Sequence, residues 1–353
     1  MASDSLGDID EVVHRPDRAF VESTNVREFM RAYDIDDYEE LIRRTTDSEP
    51  DEPASGVDWF WDTMTEYLDV DFFEPYDRVR DDSEARSASE ASGETASREG
   101  PQFTDWYPGG TTNLAHNVCD RHAATDAETR NKVACIWEGE PVDGSGEPTE
   151  IREVTFHELA RGTHKVANYL ESTGVGTGDT VGLYMPMVPE VVPILYGCFE
   201  VGAIAVPIFS GFGVDATATR IEDPEVDVLF TADGFYRRGD RMTLKDAADE
   251  AMADADHDVR SVVVYRRWDD SEPPMTDGRD EFWTDAIDAQ SDEYETKHLD
   301  SSQESMLLYS SGTTGRPKGI VHTHAGALMQ CAKEIHFGFD HKEADRFFWV
   351  SDI

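Results

Sequence analysis

Between residues 179 and 265, short apolar segments of two lengths take turns. "DTVGLYMP" reads as a strand, "PEVVPILYGCFEVGA" as a largely buried helix, and "AIAVPIF" as a second strand. "GVDATATRIEDPE" then reads as a helix, "VDVLFTA" as a strand, residues 242–253 as a helix and residues 261–265 as a strand. Gly, Pro and Asp turns separate them. Strands joined through helices imply right-handed βαβ units, and those units imply a mostly parallel sheet covered by helices on both faces. The fold class is therefore α/β.

Further along, "LLYSSGTTGRPKGIVHTHAG" places a loop, residues 310–318, between two apolar runs that read as strands. Gly312 and Gly315 permit backbone angles closed to other residues, so successive N–H groups can turn toward one point and form an anion-binding nest. Ser310, Ser311, Thr313 and Thr314 add hydroxyl donors, and Arg316 and Lys318 add positive charge. The loop suits a polyphosphate. It is not a Walker A loop, because Gly315 is followed by Arg316 and Pro317 before Lys318. A flexible linker of similar composition would not be squeezed between two strands and closed by a stiff proline.

At S-S-G-T-T-G-R-P-K-G the chain resembles the AMP-forming acyl-CoA synthetases, relatives of luciferases and of peptide-synthetase adenylation domains. The segment "DWYPGGTTNLAHNVCDRHA" is similar to the entry of the main domain in acetyl- and propionyl-CoA synthetase-like members, and "VTFHELA" matches a family helix. The resemblance spans residues 101–353, with a looser N-terminal lead. It implies an AMP-forming acid–CoA ligase: a carboxylate attacks the α-phosphorus of Mg·ATP, and the CoA thiol then displaces AMP. Ser310, Ser311, Gly312, Thr313, Thr314, Gly315 and Lys318 would hold the ATP phosphates. Arg237 falls on a basic position that contacts the nucleotide phosphates of CoA in acetyl-CoA synthetases. Asp240 stands where that pattern tends to be basic, so either Arg241 substitutes or the grip on CoA weakens. From the residues alone, Arg237, Arg238 and Arg241 read as a phosphate clamp in preference to a salt-bridged surface turn.

"WVSDI", residues 349–353, resembles the start of a motif that builds the acyl pocket. By the resemblance, the remaining pocket, the adenine and ribose segments and a C-terminal lid carrying the adenylation lysine lie beyond it. The expectation is an incomplete adenylate-forming N-terminal domain that cannot make thioester alone and leaves strand 347–350 as an unprotected edge. Its partner would be a separate second half. The alternatives are a non-catalytic nucleotide-binding fragment and an adenylating enzyme that loads a carrier protein.

The expected organisation is a helical lead over 1–80, a disordered acidic insertion over 81–100 and a truncated AMP-binding domain over 101–353. Trp59, Phe60, Met64, Tyr67 and Leu68 recur at helical spacing. The insertion "DDSEARSASEASGETASREG" has almost no large apolar residue to offset its ordering entropy. Thr155 and Glu158 form a capping box that opens a helix carrying Phe156, Leu159, Ala160, Val166, Ala167 and Leu170 on its buried side, with Gly174 ending it. A final helix covers 325–335. His322 and His324 alternate along a strand and read as structural, and no metal ligands are expected. Cys119, Cys135, Cys198 and Cys331 stand far apart, as reduced thiols do. The acidic N-terminus is not a signal peptide, and no apolar run approaches the ~20 residues of a membrane span. A cytoplasmic location follows.

The chain carries 75 Asp and Glu against 31 Lys and Arg, a net charge of −44. The acid is spread throughout instead of forming one tail, which reads as adaptation to high salt and argues against nucleic-acid binding. Charges of one sign repel over a Debye length of about 10 Å at 0.1 M salt but only about 3 Å at 1 M. We predict that far-ultraviolet circular dichroism will show a folded chain in molar KCl and loss of cooperative unfolding near 0.1 M. Equal stability at both would refute the salt adaptation.

Overall fold

Asp17, Thr24 and Asp37 each stand one residue before a short helix, and each side chain accepts a hydrogen bond from a backbone N–H three residues on, at 2.8, 3.2 and 2.8 Å. The helices they cap are α1 (Arg18–Ser23), α2 (Asn25–Ala32) and α3 (Tyr38–Thr46), followed by α4 (Gly56–Tyr67). The computed structural model describes residues 15–47, 55–81, 104–142, 144–310 and 317–348. The chain divides into two units, Met1–Asp69 with Gln330–Phe348, and Val70–Met329 with Trp349–Ile353.

In the first unit, Phe29 is buried among the rings of Tyr33, Phe60, Tyr67 and Phe337, with centroids 4.7–6.5 Å away. The aromatic periodicity of 59–68 therefore marks α4 correctly, and its Met64 is fully buried. Asn25 fixes the rest: its Nδ2 donates to the carbonyls of His336 at 2.8 Å and His341 at 2.9 Å, and its backbone N–H donates to Asp340 Oδ1 at 2.6 Å.

The second unit holds the sheet. A hairpin of β1 (Val133–Val142) and β2 (Pro148–Thr155) leads into α5 (Phe156–Ser172). Then follow β3 (Thr180–Tyr184), α6 (Val191–Val201), β4 (Ile204–Pro207), α7 (Val214–Glu222) and β5 (Val228–Ala232). A second hairpin, β6 (Gly234–Arg237) and β7 (Asp240–Thr243), precedes α8 (Lys245–Asp254), β8 (Ser261–Tyr265) and β9 (Asp280–Phe282). Last come β10 (Glu304–Ser310), β11 (Lys318–Thr323) and α9 (His324–Lys333). The seven-stranded sheet runs β9-β8-β5-β3-β4-β10-β11. Every neighbouring pair is parallel except β10 with β11. The mostly parallel α/β reading is met.

The capping box forms as the sequence implies: Glu158 N–H donates to Thr155 Oγ1 at 3.2 Å, and Thr155 N–H donates to Glu158 Oε2 at 2.9 Å. Leu159, Ala160, Val166, Ala167 and Leu170 are buried, while Phe156 is half-buried. Helix α6 crosses α5 at Gly197, where a Cβ would lie 2.6 Å from Val166 Cγ1 and 3.2 Å from the Ala167 backbone nitrogen. At the start of α8, buried Lys245 lies 2.6 Å from Asp249 and 2.9 Å from buried Asp280, tying the helix to β9.

Some boundaries differ. Met242 belongs to β7, and the helix read over 242–253 starts at Lys245. The helix read over 325–335 is α9 plus a π-helical turn, Glu334–Gly338. Phe347 and Phe348 are in no strand, and the rest of the strand read over 347–350 lies outside the described residues, as does the insertion beyond Asp81. Hairpin β6–β7 escaped notice because its turn residues, Arg238 and Gly239, take φ of 55° and 87°, a left-handed pair normally written Asn-Gly or Asp-Gly.

Two outcomes are expected. Gly197→Ala should lose about 1–3 kcal/mol by forcing α5 and α6 apart, measured by denaturant unfolding in high salt. His324 is fully buried at the start of α9, where its Nδ1 accepts the Leu114 N–H at 3.1 Å and burial pushes its pKa from 6.5 down to about 3. The folded imidazole stays neutral while the unfolded one protonates below about 6.5, so stability falls as pH falls, by about 1.4 kcal/mol per unit. Comparing His324→Asn with wild type between pH 7 and 5.5 isolates this slope. Parallel curves would contradict it.

Candidate functional site

Parallel strands place their following loops at one edge of a sheet. Here the chain leaves β3 for β4 on one side and β5 for β8 on the other, so the connections after β3 and β5 diverge. Such a switch point opens a crevice beyond the carboxyl ends of the strands. Strand β10 is parallel to β4 and delivers Ser310 to that same edge.

Ser310 and Lys318 are directly paired across the β10–β11 hairpin, and Ser310 Oγ donates to the Lys318 carbonyl at 3.5 Å. The Lys318 ammonium is exposed and forms no ion pair among the described residues. Ser311, Gly312, Thr313, Thr314 and Gly315, the rest of the expected phosphate-binding set, lie outside the described residues. The hairpin therefore presents an ammonium without an ion pair among the described residues, and a hydroxyl, at the two ends of the loop.

Beside it runs a groove of about 530 Å³ between α7 and β10, lined by Phe212, Thr219, Arg220, Tyr309 and Pro317 among others. Arg220, only 4% exposed, lies 4.2 Å from the Phe212 ring centroid and 5.2 Å from that of Tyr309, while its Nη1 donates to the Ala216 carbonyl at 2.7 Å. Tyr309 donates its hydroxyl to Asp223 Oδ2 at 2.6 Å, and burial followed by that carboxylate pushes the phenol up. A guanidinium held between aromatic faces gives this wall a fixed positive charge with planar surfaces, suited to a flat or anionic ligand. The sequence reading missed Arg220. Its one signal was an arginine near the end of an otherwise apolar helix face.

The β6–β7 hairpin separates the three arginines. Pairing sets Tyr236 opposite Arg241 and Arg237 opposite Asp240, so Arg241 points to the other face from Asp240. Arg241 Nη1 lies 2.9 and 3.1 Å from the two Asp270 oxygens, and its guanidinium lies 4.8 Å from the Trp268 ring centroid. It is occupied structurally, at the edge of a second cavity of about 470 Å³ shared with Tyr236, Arg267 and Trp268. Arg237 makes no ion pair among the described residues and reaches back over the loop after β4: a Cβ on Gly211 would lie 3.1 Å from its Nη1. Arg237 and the groove that begins at Phe212 thus flank one short loop. The remaining chemistry-bearing residues do not join them. His324 is buried under Leu114, half-buried His322 faces Met306 across the hairpin, and all four cysteines are free.

The AMP-binding enzyme family model matches residues 121–353, and the model for the acetyl-coenzyme A synthetase N-terminus matches residues 51–118. An acetyl-coenzyme A synthetase from Pyrobaculum aerophilum is 36% identical over 322 residues, 90% of this chain and 44% of that protein. One from Rhodopirellula baltica is 39% identical over 252 residues, 71% of this chain and 37% of that protein. The solved acetoacetyl-CoA synthetase from Streptomyces lividans superposes with a TM-score of 0.76 at 28% identity, covering 96% of this chain and 47% of its own. The chain thus spans less than half the length of these relatives.

Proposed function

We propose that this chain, which belongs to the AMP-binding enzyme family and is acetyl-CoA synthetase-like, supplies the ATP-phosphate and CoA contacts of an AMP-forming acid–CoA ligase. The reaction is carboxylate plus Mg·ATP to acyl-adenylate and pyrophosphate, then CoA to acyl-CoA and AMP. Its acid is short, such as acetate, in keeping with the names of the relatives. The proposed organisation is a helical lead over 1–80, a spacer over 81–100 and an AMP-binding domain from 101 onward. The protein works in a salt-rich cytoplasm; among the described residues no helix is long and apolar enough to cross a membrane.

The observation that carries this reading is the Ser310–Lys318 hairpin at the carboxyl edge of a parallel sheet. Ser310 through Gly315 would turn backbone N–H groups and hydroxyls onto the β- and γ-phosphates, and Lys318 would neutralise their charge. Little covalent work falls to the protein. Orientation of the α-phosphorus for in-line attack and offsetting of charge on the departing pyrophosphate do most of it. Arg237 would hold a CoA phosphate, which Asp240 on the same face weakens by repulsion.

Equilibrium dialysis of the 353-residue chain with Mg·ATP tests the first contact. Lys318→Ala should weaken binding about 10- to 100-fold, the loss of one charge-assisted hydrogen bond. Arg237→Ala should leave ATP affinity unchanged and weaken CoA binding alone. ATP binding that ignores Lys318, or no ATP binding at all in molar KCl, would reject this assignment. Pyrophosphate exchange that never requires CoA would point instead to loading of a carrier protein.

A further inference from the structure

Three side chains far apart in sequence converge where α5 meets α6. Asp120 closes a π-helical turn, His116–Asp120; His164 lies on α5; Glu200 lies at the end of α6. His164 Nε2 stands 3.4 Å from Glu200 Oε1 and 3.6 Å from Asp120 Oδ1, and the three ligand atoms all lie within 4.8 Å of one another. Glu200 is fully buried, and outside the cluster neither of its carboxylate oxygens has a hydrogen-bond partner; Asp120 Oδ1 is likewise without one. A buried and a half-buried carboxylate facing one imidazole are costly unless a metal cation or a shared proton lies among them.

The surroundings orient these atoms for that purpose. His164 Nδ1 lies 3.0 Å from the Asp292 carbonyl, an acceptor only, so Nδ1 carries the proton and Nε2 can present a lone pair to the cluster. Thr296 Oγ1 donates to Asp120 Oδ2 at 2.6 Å, which leaves Oδ1 turned inward. Metal–ligand bonds of about 2.0–2.2 Å in tetrahedral array separate neighbouring ligand atoms by about 3.3–3.6 Å. The two spacings to Nε2 nearly match that interval without repacking. The exposure is asymmetric: Glu200 is sealed, while His164 and Asp120 keep 19% and 13% of their side-chain surface open.

We infer that Asp120, His164 and Glu200 form a site for one divalent transition cation of the Zn²⁺ type, pinning α5, α6 and the π-helical turn together. Two carboxylates and a neutral imidazole balance its charge. The site stands apart from the phosphate-binding hairpin, and its role is structural. The sequence reading expected no metal, because the cysteines form no Cys-x-x-Cys pair and His322 and His324 alternate along a strand.

Metal-stripped 353-residue chain in high KCl, titrated with CoCl₂, provides the test. High salt suppresses loose binding to the acidic surface. The expected result is one equivalent of Co²⁺ with the visible bands of a tetrahedral site, displaced by ZnCl₂. Glu200→Gln and His164→Asn should each weaken binding at least about tenfold, and His157→Asn, outside the cluster, should not. Saturating ZnCl₂ should raise the Tm of wild type but not of Glu200→Gln. A wild-type chain without such bands would overturn the inference and leave a protonated imidazole bridging both carboxylates. Co²⁺ uptake indifferent to both substitutions would overturn it equally.

Discussion

The approach of α5 to α6 at Gly197 sets the geometry of most of the second unit. Because no side chain stands between them, Val166 and Ala167 reach the α6 backbone, and α6 leads into β4, which pairs with β3. That placement fixes where β4 ends, and hence where the loop holding Phe209, Gly211 and Phe212 meets Arg237 and Arg220. The same approach sets His164 against Glu200, two residues before Val166 and three after Gly197. One missing methyl group therefore underlies both the crevice and the buried cluster. A helix pair held a further ångström apart would relax packing and misplace polar atoms together, since interiors are dense and transmit such shifts.

Positive charge is scarce in this chain, and several of its arginines are held by aromatic faces. Arg220 sits between Phe212 and Tyr309, Arg241 lies over Trp268, and Arg267 lies 5.2 Å from the Trp137 ring centroid while pairing with Glu150 at 2.8 Å. A planar guanidinium stacks in this way and an ammonium does not, which accounts for arginine in these positions. Ring contacts are also little affected by salt, whereas exposed ion pairs are screened by it. Exposed Lys318 and Arg237 make neither kind of contact among the described residues. Their charges are unspent among the described residues, which is what a ligand-binding cation requires.

Local signals were legible in the sequence. Thr155 and Glu158 announced α5 to the residue, the valine run gave β8 its bounds, and the strand–helix alternation gave a parallel sheet. The hairpin flanking residues 311–316 was also readable, because its two strands alternate around a loop of small polar residues. The features that stayed hidden are those made by partners distant in the chain. Arg241 looked like a phosphate ligand until Asp270, 29 residues away, claimed it. Arg220 looked unremarkable until Tyr309 closed over it from 89 positions further on. Turn Arg238–Gly239 hid for a different reason: an arginine in the left-handed region is a conformational exception that propensity does not predict.

The first unit is discontinuous, for Asn25 is anchored by His336, Asp340 and His341, more than 300 residues later. Chains emerge from the ribosome at roughly 5–20 residues per second. Helices α1 to α4 are therefore made about 15–60 s before the segment that completes their aromatic cluster, including Phe337, exists. During that interval Phe29 and Tyr67 have no final cover, and the sheet of the second unit has time to form first. Synthesis order thus leaves the N-terminal helices waiting on residues 336–341 for their last contacts.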